Sequence, residues 1–309
     1  MMPSLAVLFG AAILDLAAGE PPSKVHPVAW MGKFIGEIWK KRPPEGHMAH
    51  FLFGAFLVIS GTVLFSLPLL ILRLLPVPLH ILAAIPLLKV SFSVRGLSRA
   101  AGEVLAALEK GDLESARQRL GWHLVSRKTD SLDEGEVVSA VIESLAENVT
   151  DSITSPLFYF ALAGLPGAWT YRFCNTCDAM IGYRDPEHEY GGKFAARMDD
   201  VLNWIPARIT GFLMLAGGIL AGEDGANGWK TMTCQHGRTE SPNAGWTMAA
   251  MAGLLGVRLS KRGNYVIDGG ANKLSPSAVR RSMKVFRITA IMVFAFIFIF
   301  IGGLYVLFR

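Results

Sequence analysis

Residues 291–308 read IMVFAFIFIFIGGLYVLF, a run with no charged side chain. At helical rise it covers about 27 Å, close to the ~30 Å hydrocarbon core of a bilayer. Lipid offers no partner to backbone N–H and C=O groups, so such a run must close its own hydrogen bonds as a helix. The same test marks Met1–Ala18, apolar apart from Asp15, and Phe51–Leu75, where Arg73 near the end can snorkel. It also marks Val77–Val94, interrupted by Lys89, then Trp204–Ala221, and Ile288–Phe308, which contains the opening run. Ser155–Tyr171 and Gly245–Leu259 are shorter, and span, re-enter or pack inside a bundle. Composition agrees. Hydrophobic residues make up 51% and charged residues only 18%, with a mean hydropathy of +0.38, against about 25% charged in soluble domains.

The first segment lacks a basic flank, and Asp15 and Glu20 stand where a signal-peptide cleavage site would be, so a retained helix is expected. The net charge of +5 and pI near 9.2 come largely from loops. Residues 20–50 carry Lys24, Lys33, Lys40, Lys41 and Arg42. Residues 95–153 carry Arg95, Arg99, Lys110, Arg117, Arg119, Arg127 and Lys128. Basic loops stay cytoplasmic, so Phe51–Leu75 and Val77–Val94 read as a hairpin between them, and no nucleic-acid partner is expected. Three cysteines exclude a disulfide scaffold. Cys174 and Cys177 alone do not make a zinc site.

Polar excursions interrupt this pattern. The first, 19–50, opens with GEPPSKVHPVAWMG, whose prolines impose turns. The second, 95–153, predicts helices near 96–110, 112–124 and 132–149, the last started by a Ser131/Glu134 capping box. The third, 171–203, is dense in Asp, Arg and Gly, and a further polar stretch covers 222–244. On the 132–149 helix, Glu143, Glu147 and Asp151 recur every four residues, with Asn148 between them. They share one face, and like charges at this spacing repel. A solvated acidic face or a bound cation resolves the repulsion. The stripe runs directly into SPLFYFALAG, so water is not assured on it.

Asn175, Asp178, Arg184 and Asp185, followed by Arg197, Asp199, Asp200, Asn203 and Arg208, repeat the mixture. Hard oxygen ligands suit Mg²⁺ together with substrate phosphates, and arginines bind phosphate or carboxylate. A salt-bridged loop is the alternative. Arg127, Lys128 and Thr129 before a helix start make an anion site or an ordinary basic loop. His26 lies between prolines. The chain has no G-x-x-x-x-G-K-[ST], G-x-S-x-G or H-E-x-x-H motif.

The stretches 14–35 (LDLAAGEPPSKVHPVAWMGKFI), 126–185, 195–210 (AARMDDVLNWIPARIT) and 241–259 (SPNAGWTMAAMAGLLGVRL) occur together and in order. In this the sequence resembles the adenosylcobinamide-phosphate synthase family (CobD/CbiB) of cobalamin biosynthesis. The resemblance implies a multi-pass enzyme of the cell membrane, a single integral domain over 1–309. It implies an ATP- and Mg²⁺-dependent ligase, joining (R)-1-aminopropan-2-ol or its O-phosphate to the corrinoid adenosylcobyric acid. Its partners would be the lipid bilayer and other cobalamin-assembly membrane enzymes. The family pattern has Arg-Asp-Thr where this chain has Arg127-Lys128-Thr129, which favours phosphate over metal there. Cys174 and Cys177 fall where the family tolerates apolar residues.

The expected fold is therefore all-α: a polytopic membrane helix bundle of about five spanning helices, two short or partly inserted ones, and polar loops. Expected catalytic residues are Glu143, Glu147, Asp151 and Asp178, with Glu147, Asp151, Asp178 and Asp199 as metal ligands. Expected substrate contacts are His26, Arg127, Lys128, Thr129, Asn148, Asn175, Tyr183, Arg184, Arg208 and Asn243. Two rival readings share these features: an intramembrane Mg²⁺-dependent prenyltransferase, and a non-catalytic membrane sensor or transport component.

Overall fold

A computed structural model describes residues 2–307; residues 1, 308 and 309, at the outer ends of the first and last apolar segments, lie outside it. The order is α1 (Met2–Ala18), α2 (Pro27–Trp39), α3 (His47–Ser66), a 3-10 stretch Leu67–Leu74, α4 (Val77–Lys89), α5 (Arg95–Glu109), α6 (Leu113–His123) and α7 (Glu134–Val149). A π-helical turn, Thr150–Thr154, leads into α8 (Ser155–Ala163). Then come α9 (Leu165–Ile181), α10 (Lys193–Ala221), α11 (Gly225–Gln235), α12 (Ala244–Leu255), β1 (Arg258–Lys261), β2 (Tyr265–Asp268) and α13 (Pro276–Leu307). The protein is nearly all-α; the departure from the expected class is the antiparallel β1–β2 hairpin, in register Arg258 to Asp268 and Lys261 to Tyr265.

Among the described residues three helical stretches are long and apolar enough to cross a membrane: His47–Leu74, Lys193–Ala221 and Pro276–Leu307. These fit a membrane protein. Many apolar side chains on them face outward, among them Phe56, Ile59, Phe212, Ile219, Ile291 and Ile299, as a lipid solvent permits. The Met1–Ala18 and Val77–Val94 segments form helices of 17 and 13 residues, about 26 and 20 Å long, shorter than the hydrocarbon core. Val77–Val94 stops at Lys89 because that ammonium turns inward to two carboxylates.

Other boundaries shift for local reasons. Gly164 takes a positive φ of 71°, so Ser155–Tyr171 breaks into α8 and α9. The expected polar excursion at 171–203 is mostly helix, since α9 runs to Ile181 and α10 starts at Lys193. The capping box on α7 is Asp133 with Glu136, not Ser131 with Glu134. Thr129–Leu132 forms a turn first, with Leu132 N–H donating to Thr129 O and Arg117 Nε to Leu132 O.

The chain divides into two compact units. One comprises residues 2–93, 155–203 and 296–307; the other comprises Val94–Thr154 and Trp204–Ala295. In the first, α1 pairs with α4, and α9 packs against α2, α3 and α8. Gly61 of α3 lies under the Phe173 ring, where a Cβ would come within 2.0 Å of Cζ. Phe34 and Phe65 complete that aromatic cluster around Phe173. In the second unit, α7 is buried almost throughout, enclosed by α5, α6, α12 and β1. Arg281 of α13 pairs there with Glu223, and Lys284 donates to Ala221 O at the end of α10.

Candidate functional site

The acidic stripe sits on α7 and the π turn that follows it. Its three carboxylates have different surroundings. Glu143 is only 6% exposed. It accepts the Ser139 hydroxyl at 2.5 Å and the Tyr265 phenol at 2.7 Å, and the Arg127 guanidinium lies 3.7 Å away. Ser139 in turn accepts the Ser260 amide at 3.1 Å, so one buried carboxylate ties α7 to both strands of the hairpin. Burial and the negative charges of Glu143 and Glu147 push the Tyr265 phenol far above its usual range, which keeps it a neutral donor. Glu147 and Asp151 are half-buried.

Asn148, between them, is fixed as a polar ladder: its amide donates to Ser144 O at 2.9 Å, and its carbonyl accepts the Ser152 hydroxyl at 3.0 Å. The π turn begins two residues later, with the Thr154 hydroxyl donating to Val149 O, five residues back. Such turns insert an extra residue into a helix and frequently occur at functional sites.

Arg127 is thus engaged with Glu143, whereas Lys128 is exposed and Thr129 is buried with its hydroxyl on Arg117 O. At the helix start that follows them one N–H donor is already taken. Asp133 takes the Glu136 amide, and Glu134 and Glu136 fill the first turn of α7 with negative charge. In the same unit Arg208 is held by aromatics, over Trp204 at 4.1 Å and Trp246 at 5.0 Å from the ring centroids. It donates to Trp204 O at 2.6 Å and to the buried Asn243 carbonyl at 3.4 Å.

In the other unit, the side chain of Asp199 accepts the Asn175 amide at 3.1 Å and the Asn203 amide at 2.9 Å. The Asn203 carbonyl accepts two hydroxyls, Ser155 at 2.5 Å and Tyr171 at 3.0 Å. Those donors fix which way the amide faces, so its NH₂ must point at Asp199. Asp178 lies one turn beyond Asn175 and is half-buried; a Cβ on Gly182 would come within 2.0 Å of its Oδ1, so the glycine leaves room for this carboxylate. Tyr183 donates to Ala179 O, and Arg184 is exposed after the end of α9.

His26 is the N-cap of α2. Its Nδ1 accepts the Val28 amide at 3.2 Å, which leaves Nε2–H for Glu20 at 3.1 Å. Glu20 also meets Lys89 at 2.8 Å, and Lys89 meets Asp15 at 3.2 Å. Lys89 and Asp15 are buried. Burial alone would raise the Glu20 carboxyl, but hydrogen bonds from His26, Lys89 and Ser93 outweigh it and hold it at about 2. In the sequence Asp15 and Lys89 stand as lone charges in apolar segments. Opposite charges within two otherwise apolar helices were the signal that they pair. Tyr265, Ser155 and Tyr171 carried no comparable signal, and Asn203 stood out only through its neighbours.

Among the described residues no three His, Cys, Asp or Glu side chains are grouped to hold a metal ion. Of the four carboxylates expected as ligands, Glu147 and Asp151 belong to one unit, Asp178 and Asp199 to the other. Cys174 and Cys177 are buried, and burial pushes both thiols up, Cys174 to about 11, so they pack as small apolar groups.

Comparison with known proteins places these features in one family. A family model described as CobD/Cbib protein matches residues 8–292. A "Probable cobalamin biosynthesis protein CobD" from Methanothermobacter thermautotrophicus is 43% identical over 291 residues, covering 94% of this chain and 96% of its own. The "Cobalamin biosynthesis protein CobD" of Dehalococcoides mccartyi is 39% identical over 286 residues, covering 91% and 92%. A relative from Pyrococcus abyssi, also named a probable cobalamin biosynthesis protein CobD, is 40% identical over 297 residues, covering 95% of each chain. No solved structure matches.

Proposed function

The chain belongs to the CobD/Cbib protein family, whose role is in cobalamin biosynthesis, and from that premise we propose that it is a membrane-embedded amide ligase. Its substrates are adenosylcobyric acid and (R)-1-aminopropan-2-ol or the O-phosphate of that amine. The product is adenosylcobinamide or its phosphate. Condensing a carboxylate with an ammonium group is uphill in water, so one substrate must be activated. Transfer of the ATP γ-phosphoryl group to the corrinoid carboxylate gives an acyl phosphate and ADP. The amine, once deprotonated, attacks the acyl carbon; the C–N bond forms, the C–O bond breaks and inorganic phosphate leaves.

The observation that carries this reading is the unequal burial along the stripe. Glu143 is enclosed by Ser139, Tyr265 and Arg127, whereas Glu147 and Asp151, one and two turns on, are only half-buried beside the fixed Asn148. Half-buried carboxylates next to a carboxamide are an all-oxygen donor set, which fits Mg²⁺ carrying nucleotide phosphates. Glu147 and Asp151 would hold that ion, whose charge offsets the negative charge of the transferring phosphoryl group. Glu143 positions α7 against the hairpin, and the exposed Arg184 is available to a phosphate or a corrinoid amide. Asp178 is a half-buried carboxylate of the other unit, with the chemistry of a general base.

The test is direct. Purified protein in lipid is incubated with adenosylcobyric acid, ATP, Mg²⁺ and aminopropanol phosphate, and the corrinoid is analysed by mass spectrometry. The expected result is a corrinoid heavier by the amine less one water, with ADP formed in equal amount and nothing formed without ATP. An unchanged corrinoid with folded protein refutes the ligase reading.

A further inference from the structure

One cavity lies away from all of these residues. Its volume is about 390 Å³, and it opens where the 3-10 stretch meets α4, walled by the first turn of α1, the end of α8 and the start of α9. That volume falls within the ~300–1,000 Å³ range of small-ligand pockets. Among the described residues two basic side chains line it, Arg73 and His80, and no Asp or Glu does. Arg73 makes one long bond, to Ala163 O at 3.5 Å, which leaves most of its guanidinium donors unused among the described residues. His80 bonds Leu72 O through Nδ1 at 2.9 Å, leaving Nε2. A carbonyl acceptor requires Nδ1–H, so neutral Nε2 is an acceptor, and it becomes a donor when the ring is protonated.

The surroundings are apolar and outward-facing. Leu70, Ile71 and Leu74 on the 3-10 stretch are exposed, as are Leu79 and Leu82 on α4. The cavity therefore joins an uncompensated positive charge to a surface that water does not solvate well. It lies at the end of the His47–Leu74 helical stretch remote from the basic 20–50 loop.

We propose that this cavity seats the phosphodiester of one membrane phospholipid, between Arg73 and His80, with the acyl chains lying along the exposed leucines. A guanidinium binds phosphate oxygens bidentately. The absence of acid from the lining selects an anion, and the apolar collar selects a lipid over free phosphate. This site is independent of the ligation chemistry, so loss of either leaves the other standing.

The test uses the full chain, stripped of lipid in detergent and then given phosphatidylglycerol or inorganic phosphate, with bound species counted by native mass spectrometry. Wild type should retain one phosphatidylglycerol per chain. Arg73→Gln with His80→Gln should weaken that retention at least tenfold while gel filtration and melting remain normal. Ala163→Phe, at an exposed rim position, should block the mouth without touching either base and also lower retention. Equal retention by wild type and both variants overturns the proposal. Retention of inorganic phosphate in place of lipid, lost in the double variant, overturns it in favour of a free-ion site.

Discussion

Tyr265→Phe removes one oxygen and tests whether Glu143 is a structural tie. The phenol donates to Glu143 at 2.7 Å, and the carboxylate is 6% exposed, so water does not readily replace the lost donor. Without it, that carboxylate oxygen keeps, among the described residues, only Arg127 at 3.7 Å, beyond hydrogen-bond range. A hydrogen bond to a charged group contributes about 1.5–3 kcal/mol, and the ring itself stays packed, so a loss of ~2 kcal/mol is expected. Two kcal/mol is a factor of ~30 in an opening equilibrium. Because the chain has two units, a single melting temperature would blur this effect. Hydrogen exchange at the β1–β2 amides reads it locally. Those amides should exchange ~30-fold faster in the variant. The Tyr265→Phe/Glu143→Gln double variant should lose less than the sum of the singles, because both remove the same bond. Unchanged hairpin exchange, or full additivity, refutes the tie. The phenol does not titrate in any usable range, so the result should hold from neutral to mildly alkaline pH.

Lys89→Met strips the cation from two carboxylates, one of them buried; a loss of about 3–5 kcal/mol is expected, seen as a lowered melting temperature that Asp15→Asn partly restores. Glu20 is lowered from 4.5 to about 2, so its contribution is fully present above pH 4.5 and disappears as pH falls toward 2; it amounts to at most ~3 kcal/mol, roughly half that after solvent screening. Acid melts of Glu20→Gln should lack this loss between those values. Asn203→Leu leaves Asp199, Ser155 and Tyr171 each short of a partner and should cost about 3 kcal/mol by thermal melting, whereas a surface-like change below 0.5 kcal/mol would show the network to be idle. Glu147→Gln should abolish amide formation while leaving hairpin exchange at wild-type rates, and near-normal activity in a folded variant would remove Glu147 from the site.

Much of the fold is legible because its cause is local. The α5, α6 and α7 helices follow apolar periodicity, and α3 and α13 follow from runs that only lipid or a core can accept. The errors arise where a tertiary partner decides. Ser131/Glu134 and Asp133/Glu136 both satisfy the capping-box pattern, and the choice between them depends on Arg117 holding Leu132 O from fifteen residues upstream. Val77–Val94 has enough apolar residues to nearly span, yet Lys89 ends it, because Asp15 and Glu20 await that ammonium in the fold. The hairpin is not legible in the sequence because β1 and β2 are four residues each, too short for alternation to stand out.

The site is legible in a different way. Spacing places Glu143, Glu147 and Asp151 on a common face, but spacing cannot rank them, since like residues at i and i+4 look alike until something packs on one. What packs on Glu143 is Tyr265, 122 residues away, and Ser139, which holds the Ser260 amide across 121 residues. Nothing near 143 in the sequence announces either contact. The same argument applies to Asp199. Asn175 and Asn203 surround it, and Ser155 and Tyr171 then lock Asn203, a chain of four partners drawn from three helices. Asp199 is thus a carboxylate held by two amides. The proposed function places the enclosed Glu143 in the scaffold and the half-buried Glu147 and Asp151 among the reacting groups. It further requires that Glu143→Gln reduce activity only as far as it loosens the hairpin. In a series of Glu143, Ser139 and Tyr265 variants, the logarithm of activity should fall in step with hairpin protection. A Glu143 variant that is inactive with intact protection would break the correlation and return Glu143 to the reacting groups.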